Sequence, residues 1–136
     1  MTRRKDWMLQ LETLVAERRS TRHAYGTHDC SMWACDAVLA VTGRDPGADL
    51  RGTYATEAEA EAVIAARGGL AQIAADRLGV EIVPALAAAG DVGLINTDRG
   101  PALVACMGAV WLGAAPFGLT LVPRSAVLRA WRCEVN

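Results

Sequence analysis

The chain has 136 residues, of which 52% are apolar and 21% charged, with a formal net charge of −1 and a pI near 6.1. This length suits one domain that buries roughly two-thirds of its unfolded surface, and the composition excludes a disordered chain. The near-neutral balance also excludes a global field that would draw in nucleic acid or an acidic membrane surface.

Taken in chain order, the first element is a helix from Asp6, read as its cap, to about Arg19. Trp7, Met8, Leu11, Leu14 and Val15 fall on one face at helical spacing. The basic run ERRSTRH at 17–23 reads as a solvated helix end, where the macrodipole favours cations. A second helix runs from Cys30 to Thr42, with Asp29 as N-cap, Trp33, Ala34, Ala37, Val38 and Val41 on its buried side, and Gly43 as the stop. GRDPGADLRGTYAT, 43–56, is a loop by its Gly, Pro and Asp content; within it Arg44, Arg51 and Tyr54 are candidate binding residues. Thr56 with Glu59 forms a capping box opening a third helix through Ala66, closed by Gly68 and Gly69, and a fourth helix spans Leu70 to Leu78.

The period then changes. VEIVP (80–84), DVGLI (91–95), ALVACM (102–107), AVWL (109–112) and LTLV (119–122) read as strands, with TDRGP (97–101) as a turn. Ser125 is expected to cap a last helical turn, and WRCEV (131–135) to close the sheet. From Gly100 to Pro123 no residue is charged, which imitates a membrane span in length, but three glycines and three prolines cut the run into strand-length pieces. Helices first and strands after them predict one α+β domain over 1–136, with N-terminal helices packed on a C-terminal antiparallel sheet.

The stretch YGTHDCSMWACDAV carries the candidate chemistry. A cysteine in the first turn of a helix sits among unpaired N–H groups at the positive end of the dipole, which favours thiolate, so Cys30 is a candidate nucleophile. Acyl transfer also needs a base and a group to orient it. His23 and His28 are the two imidazoles. His28 is the weak candidate base, since reaching the sulfur would require a sharp kink at Asp29, and Asp29 is a helix cap or an orienter. Trp33, Trp111 and Trp131 are either cleft walls or core. The four cysteines, Cys30, Cys35, Cys106 and Cys133, show no CxxC spacing, and no uncharged leader precedes them. Reduced thiols in a cytosolic setting are therefore expected, with no metal and no cofactor.

YGTHDCSMWACDAVLAVTGRDPGADLRGTY, followed by GG at 68–69, GD at 90–91 and AWR at 130–132, resembles a small family encoded in tail-gene clusters of phages and of phage-derived gene transfer agents. That family looks like a branch of the NlpC-type, papain-like cysteine peptidases, which cut peptide stems of the bacterial cell wall. The resemblance implies an NlpC-like papain-type fold, Cys30 at the nucleophile position and Gly90-Asp91 as the pair opening a strand. The strand that bears the base in those enzymes matches ALVACMG, so Ala102 occupies the histidine position. A methyl group accepts no proton, and losing one member of a catalytic unit removes most of its rate.

The resemblance thus implies a pseudoenzyme serving as a structural or assembly component of a phage-like tail, at the tail tip. Its implied partners are other tail proteins (hub, tail tip and distal tail), with no nucleic acid and no membrane span. Its implied location is the host cytoplasm during assembly and then the virion. The alternatives are an active peptidoglycan amidase using Cys30, with Asp29 or Asp91 as orienter, and a module binding peptide or glycan, with peptidoglycan as partner in either case.

Overall fold

The computed structural model describes residues 2–134. Four helices come first: α1 (Trp7–Arg18), α2 (Cys30–Thr42), α3 (Glu57–Ala66) and α4 (Leu70–Arg77). Six strands follow: β1 (Glu81–Ile82), β2 (Val92–Thr97), β3 (Gly100–Cys106), β4 (Trp111–Ala115), β5 (Gly118–Val122) and β6 (Arg129–Trp131). They form one sheet in the order β1-β6-β2-β3-β4-β5, with every neighbouring pair antiparallel. The α+β arrangement with helices on an antiparallel sheet is therefore observed. The uncharged run 100–123 forms β3, β4 and β5, and among the described residues no helix is long and apolar enough to cross a membrane.

The helix α2 is the centre of the packing. Met32, Trp33, Ala37 and Val41 are fully buried, and the Trp33 Nε1 donates to the Leu112 carbonyl at 2.8 Å, so one side chain joins helix to sheet. Ala34 and Val38 pack with Leu70, Ala74, Leu103 and Trp131, while Trp33, Ala37 and Val41 pack with Leu11 and Ala105. A second apolar cluster, including Ile95, Val104, Trp111 and Val127, lies among strand residues of alternate parity and is covered by the segments after β1 and β5. Gly43 stops α2 with φ 79°, a left-handed conformation that costs glycine little.

Several local expectations are corrected. Asp6 does not cap α1: its backbone turns at φ −102°, ψ 24°, and its carboxylate accepts from the Gln10 Nε2 at 2.8 Å instead. Met8 is 61% exposed, leaving the buried stripe to Leu11 with Trp7, Leu14 and Val15 beside it. Ser125 makes no cap; Arg124–Ala126 is a short 3-10 turn following Pro123. Gly100 and Pro101 belong to β3 rather than to the turn before it. The last strand is shifted to Arg129–Trp131, because the Cys133 N–H is taken by the Asp91 carboxylate at 3.2 Å and the chain leaves the ladder; residue 135 lies outside the described residues.

Two buried carboxylates tie distant segments of the chain together. Asp91, fully buried, accepts from the Arg3 Nη2 at 2.9 Å, the Ala88 N–H at 2.9 Å and the Cys133 N–H. Asp36 on α2 lies between the Arg51 Nη1 at 2.7 Å and the Arg18 Nη2 at 3.1 Å; burial pushes its carboxyl above the ordinary range against the pull of both guanidiniums. Replacing Asp91 by Ala removes the charge partner of the partly buried Arg3 and orphans two backbone donors, and is expected to cost about 3–5 kcal/mol in urea unfolding. A loss under about 1 kcal/mol would show that this node contributes little.

Candidate functional site

The approach to α2 is built around Asp29. Its Oδ1 accepts the Met32 N–H at 2.8 Å, the N-cap bond expected of an aspartate in extended conformation. Its Oδ2 accepts the Gly26 N–H at 2.8 Å and the Tyr54 hydroxyl at 2.7 Å. Gly26 has φ 86°, and a Cβ there would collide with the Tyr54 carbonyl, which explains a glycine after Tyr25. Burial, then the hydrogen bond to Asp29, push the Tyr54 phenol far above its usual range, so it stays a donor.

His28 points away from Cys30. Its Nε2 lies 3.0 Å from the Gly118 carbonyl, which can only accept, so that nitrogen carries the hydrogen. The Nδ1 is buried without a partner. With its backbone paired to Ala24, His28 ties the loop before α2 to the β4–β5 hairpin. His23 donates its backbone N–H to the Pro116 carbonyl at 3.0 Å and stacks edge-on against Tyr25, ring centres 4.7 Å apart.

Cys30 opens onto a cleft of about 780 Å³. One wall is the α2 start, with Asp29, Cys30 and Ser31; the opposite wall is α3, with Glu57, Ala60 and Glu61. The floor and far rim come from Pro101 and Ala102 of β3, Ala114 and Ala115 of β4, and His23 with Tyr25. The nearest polar side-chain partner of the sulfur is the Ser31 Oγ at 3.8 Å, and neither imidazole is hydrogen-bonded to it. Burial raises the Cys30 thiol above its ordinary pKa of 9.0 and the Asp29 charge adds to this, while the nearby Leu103 N–H works the other way. The helix terminus that favours thiolate is therefore outweighed by desolvation. Cys35 and Cys133 are likewise pushed up to about 12, chiefly by burial.

The structure brings Cys30, Asp29, Tyr54 and Ala102 to one cleft. His23 borders the same cleft, but the remaining candidates do not reach it. Asp91 is spent on Arg3 and two backbone amides, and Trp33 is core. Arg51 is paired with Asp36 and Asp45, and the exposed Arg44 borders a separate small cavity with Pro46 and Arg77. Trp111 and Trp131 are buried in the core as well. Glu57, Glu61 and Arg99, which sequence reasoning did not single out, form the charged rim, with the Arg99 Nη1 3.6 Å from the Glu57 Oε2. The spacing of Glu57 and Glu61, i and i+4 on one helix face, was the signal available for the acidic pair. Among the described residues no three His, Cys, Asp or Glu side chains converge as metal ligands would.

Fold and site define a small α+β protein with a protonated cysteine at a helix start, set in an open cleft between α2, α3 and the β3 and β4 strands. The chain belongs to the family described as Domain of unknown function (DUF6950), which spans residues 2–133. No curated protein matches it.

Two outcomes are expected. Iodoacetamide labelling of Cys30, read by peptide mass spectrometry, should keep accelerating as the pH passes 9, because the thiol titrates above its ordinary value; a plateau near neutrality would reveal an activated thiolate. Asp29→Ala removes the cap and orphans the Tyr54 hydroxyl, and should cost about 2–4 kcal/mol in chemical denaturation.

Proposed function

We propose that this protein is a structural or assembly component of a phage-like tail, positioned at the tail tip and built on an NlpC-like, papain-type fold that no longer hydrolyses. The observation that carries the loss of chemistry is the environment of Cys30: a sulfur without a hydrogen-bonded imidazole, in a cleft where Ala102 stands at the position matched to the catalytic histidine. A nucleophile of this kind works only with a base to take and return its proton. The helix that presents Cys30 persists for another reason, since it is the central packing element and its removal would dissolve the core. The tail context comes from the resemblance of the DC, TGRDP and RGTY motifs to the tail-cluster family.

The reading predicts that purified particles contain this chain, or that assembling tails cross-link to it, with neighbours at the hub, tip or distal ring identified by mass spectrometry. It also predicts that Cys30→Ala supports assembly at the wild-type level. Particles that form normally without the gene product would end the assembly reading. One observation favours a second reading, a thiol amidase acting on peptidoglycan: His23 borders the same cleft as Cys30. Release of peptide fragments from purified cell wall, abolished by Cys30→Ala and by His23→Ala, would establish that reading.

A further inference from the structure

The cleft coincides with a place where the sheet comes apart. The β2–β3 ladder runs through six residue pairs and the β4–β5 ladder through five, but β3 and β4 pair only at Ala105–Leu112 and Cys106–Trp111. Antiparallel pairing alternates between residues that exchange backbone bonds and residues that turn theirs outward. Starting from the closing pair Thr97–Gly100, that alternation turns Pro101 and Leu103 away from β2, toward β4. Starting from Ala115–Gly118, it turns Ala114 away from β5, toward β3. The Met107 N–H bond to the Val110 carbonyl at 2.7 Å and the Leu128 N–H bond to the Leu94 carbonyl at 2.8 Å follow the same parity.

Beyond Leu112 these facing edges have no strand between them. The Leu103 N–H lies near the Cys30 sulfur and opposes the upward push of burial on that thiol. The Leu103 and Pro101 carbonyls and both backbone groups of Ala114 are left facing the cleft. Only short side chains, Ala102, Ala114 and Ala115, border that gap on β3 and β4, so no bulky group fills it. On the α3 side the rim carries Glu57 and Glu61 against one cation, Arg99, and Glu61 makes no ion pair among the described residues.

We propose that this cleft is a docking groove for an extended segment of a partner protein, which adds its main chain to the open edges of β3 and β4, passes the short residues Ala102, Ala114 and Ala115 and places a basic side chain beside Glu61. The proposal rests on the reading that the cleft does not hydrolyse what it holds. Free strand edges recognise extended backbone, the hydrogen bonds giving affinity and the floor and rim giving selectivity. A glycan offers no alternating amide donors and acceptors, and a helix has none to spare.

The test uses the full chain, isotope-labelled for amide NMR, titrated with acetyl-Ala-Ala-Lys-Ala-Ala-amide. Saturable shifts confined to Leu103, Ala114, Ala115 and α3 are expected. The same peptide with methylated backbone nitrogens should bind about tenfold more weakly, the loss of one or two hydrogen bonds. Ala115→Arg, at the half-buried rim, should abolish the shifts. The exposed Glu61→Lys should reverse the preference toward the peptide carrying Glu in place of Lys, so the proposal does not depend on one variant folding. No shifts at millimolar peptide, shifts elsewhere, or equal binding of the methylated peptide would overturn it. Mass spectrometry of the recovered peptide separates the two readings: cleavage overturns the non-hydrolytic function even where binding occurs, and an intact, unbound peptide overturns only the docking groove.

Discussion

The Asp29 carboxylate joins three segments: the first turn of α2, the turn at Gly26 and the loop that brings in Tyr54, the last two also linked by the Gly52 N–H bond to the Gly26 carbonyl. Each of its bonds satisfies a donor that is buried or part of a helix terminus, so the group is fully occupied, and the approach to α2 has one conformation. Cys30 follows directly, and its position at the cleft is set by that cap. The same constraint aims His28 outward. With Asp29 turned in to cap the helix, the preceding side chain faces the hairpin and bonds the Gly118 carbonyl. A base two residues before the sulfur is thereby excluded by the geometry that makes the helix start.

The site also shows how competing local effects resolve. A helix N-terminus stabilises a thiolate and burial destabilises it; here burial is the larger effect, and the charge on Asp29 adds to it. In this state the sulfur lies near the Leu103 N–H, which opposes the upward push of burial on the thiol. The divergence of β3 and β4 has a packing origin. Leu119 and Ala114 are drawn toward α1 and Trp33, while Leu103 packs beneath α2 and α4, so the two hairpins follow different helices. The gap between them is the cleft.

Much of the framework was legible in residue order. Gly43 as a left-handed stop, Asp29 as a cap, Thr56 with Glu59 as a capping pair and Gly68-Gly69 as a break each act through atoms within a few residues, so pattern and geometry coincide. Where partners are distant the reading failed or was silent. Asp6 resembled a cap but turned to Gln10, and the final strand moved because Asp91, forty-two positions earlier, claims the Cys133 amide. Asp36 on α2 was passed over, and nothing in its neighbourhood named Arg18 and Arg51 as its partners.

The amino-acid order alone determined the helix and strand content, the α+β class and the presence of a capped cysteine at a helix start, because these follow from periodicity, propensity and short-range hydrogen bonding. Only the tertiary structure decided that the cysteine is protonated, that His28 is turned to Gly118, that Arg51 and Trp33 are spent on the scaffold, and that Glu57, Glu61 and the alanines of β3 and β4 share one cleft. Burial and long-range pairing set those outcomes. Both depend on which distant segments are packed together, information that no local stretch of the chain carries.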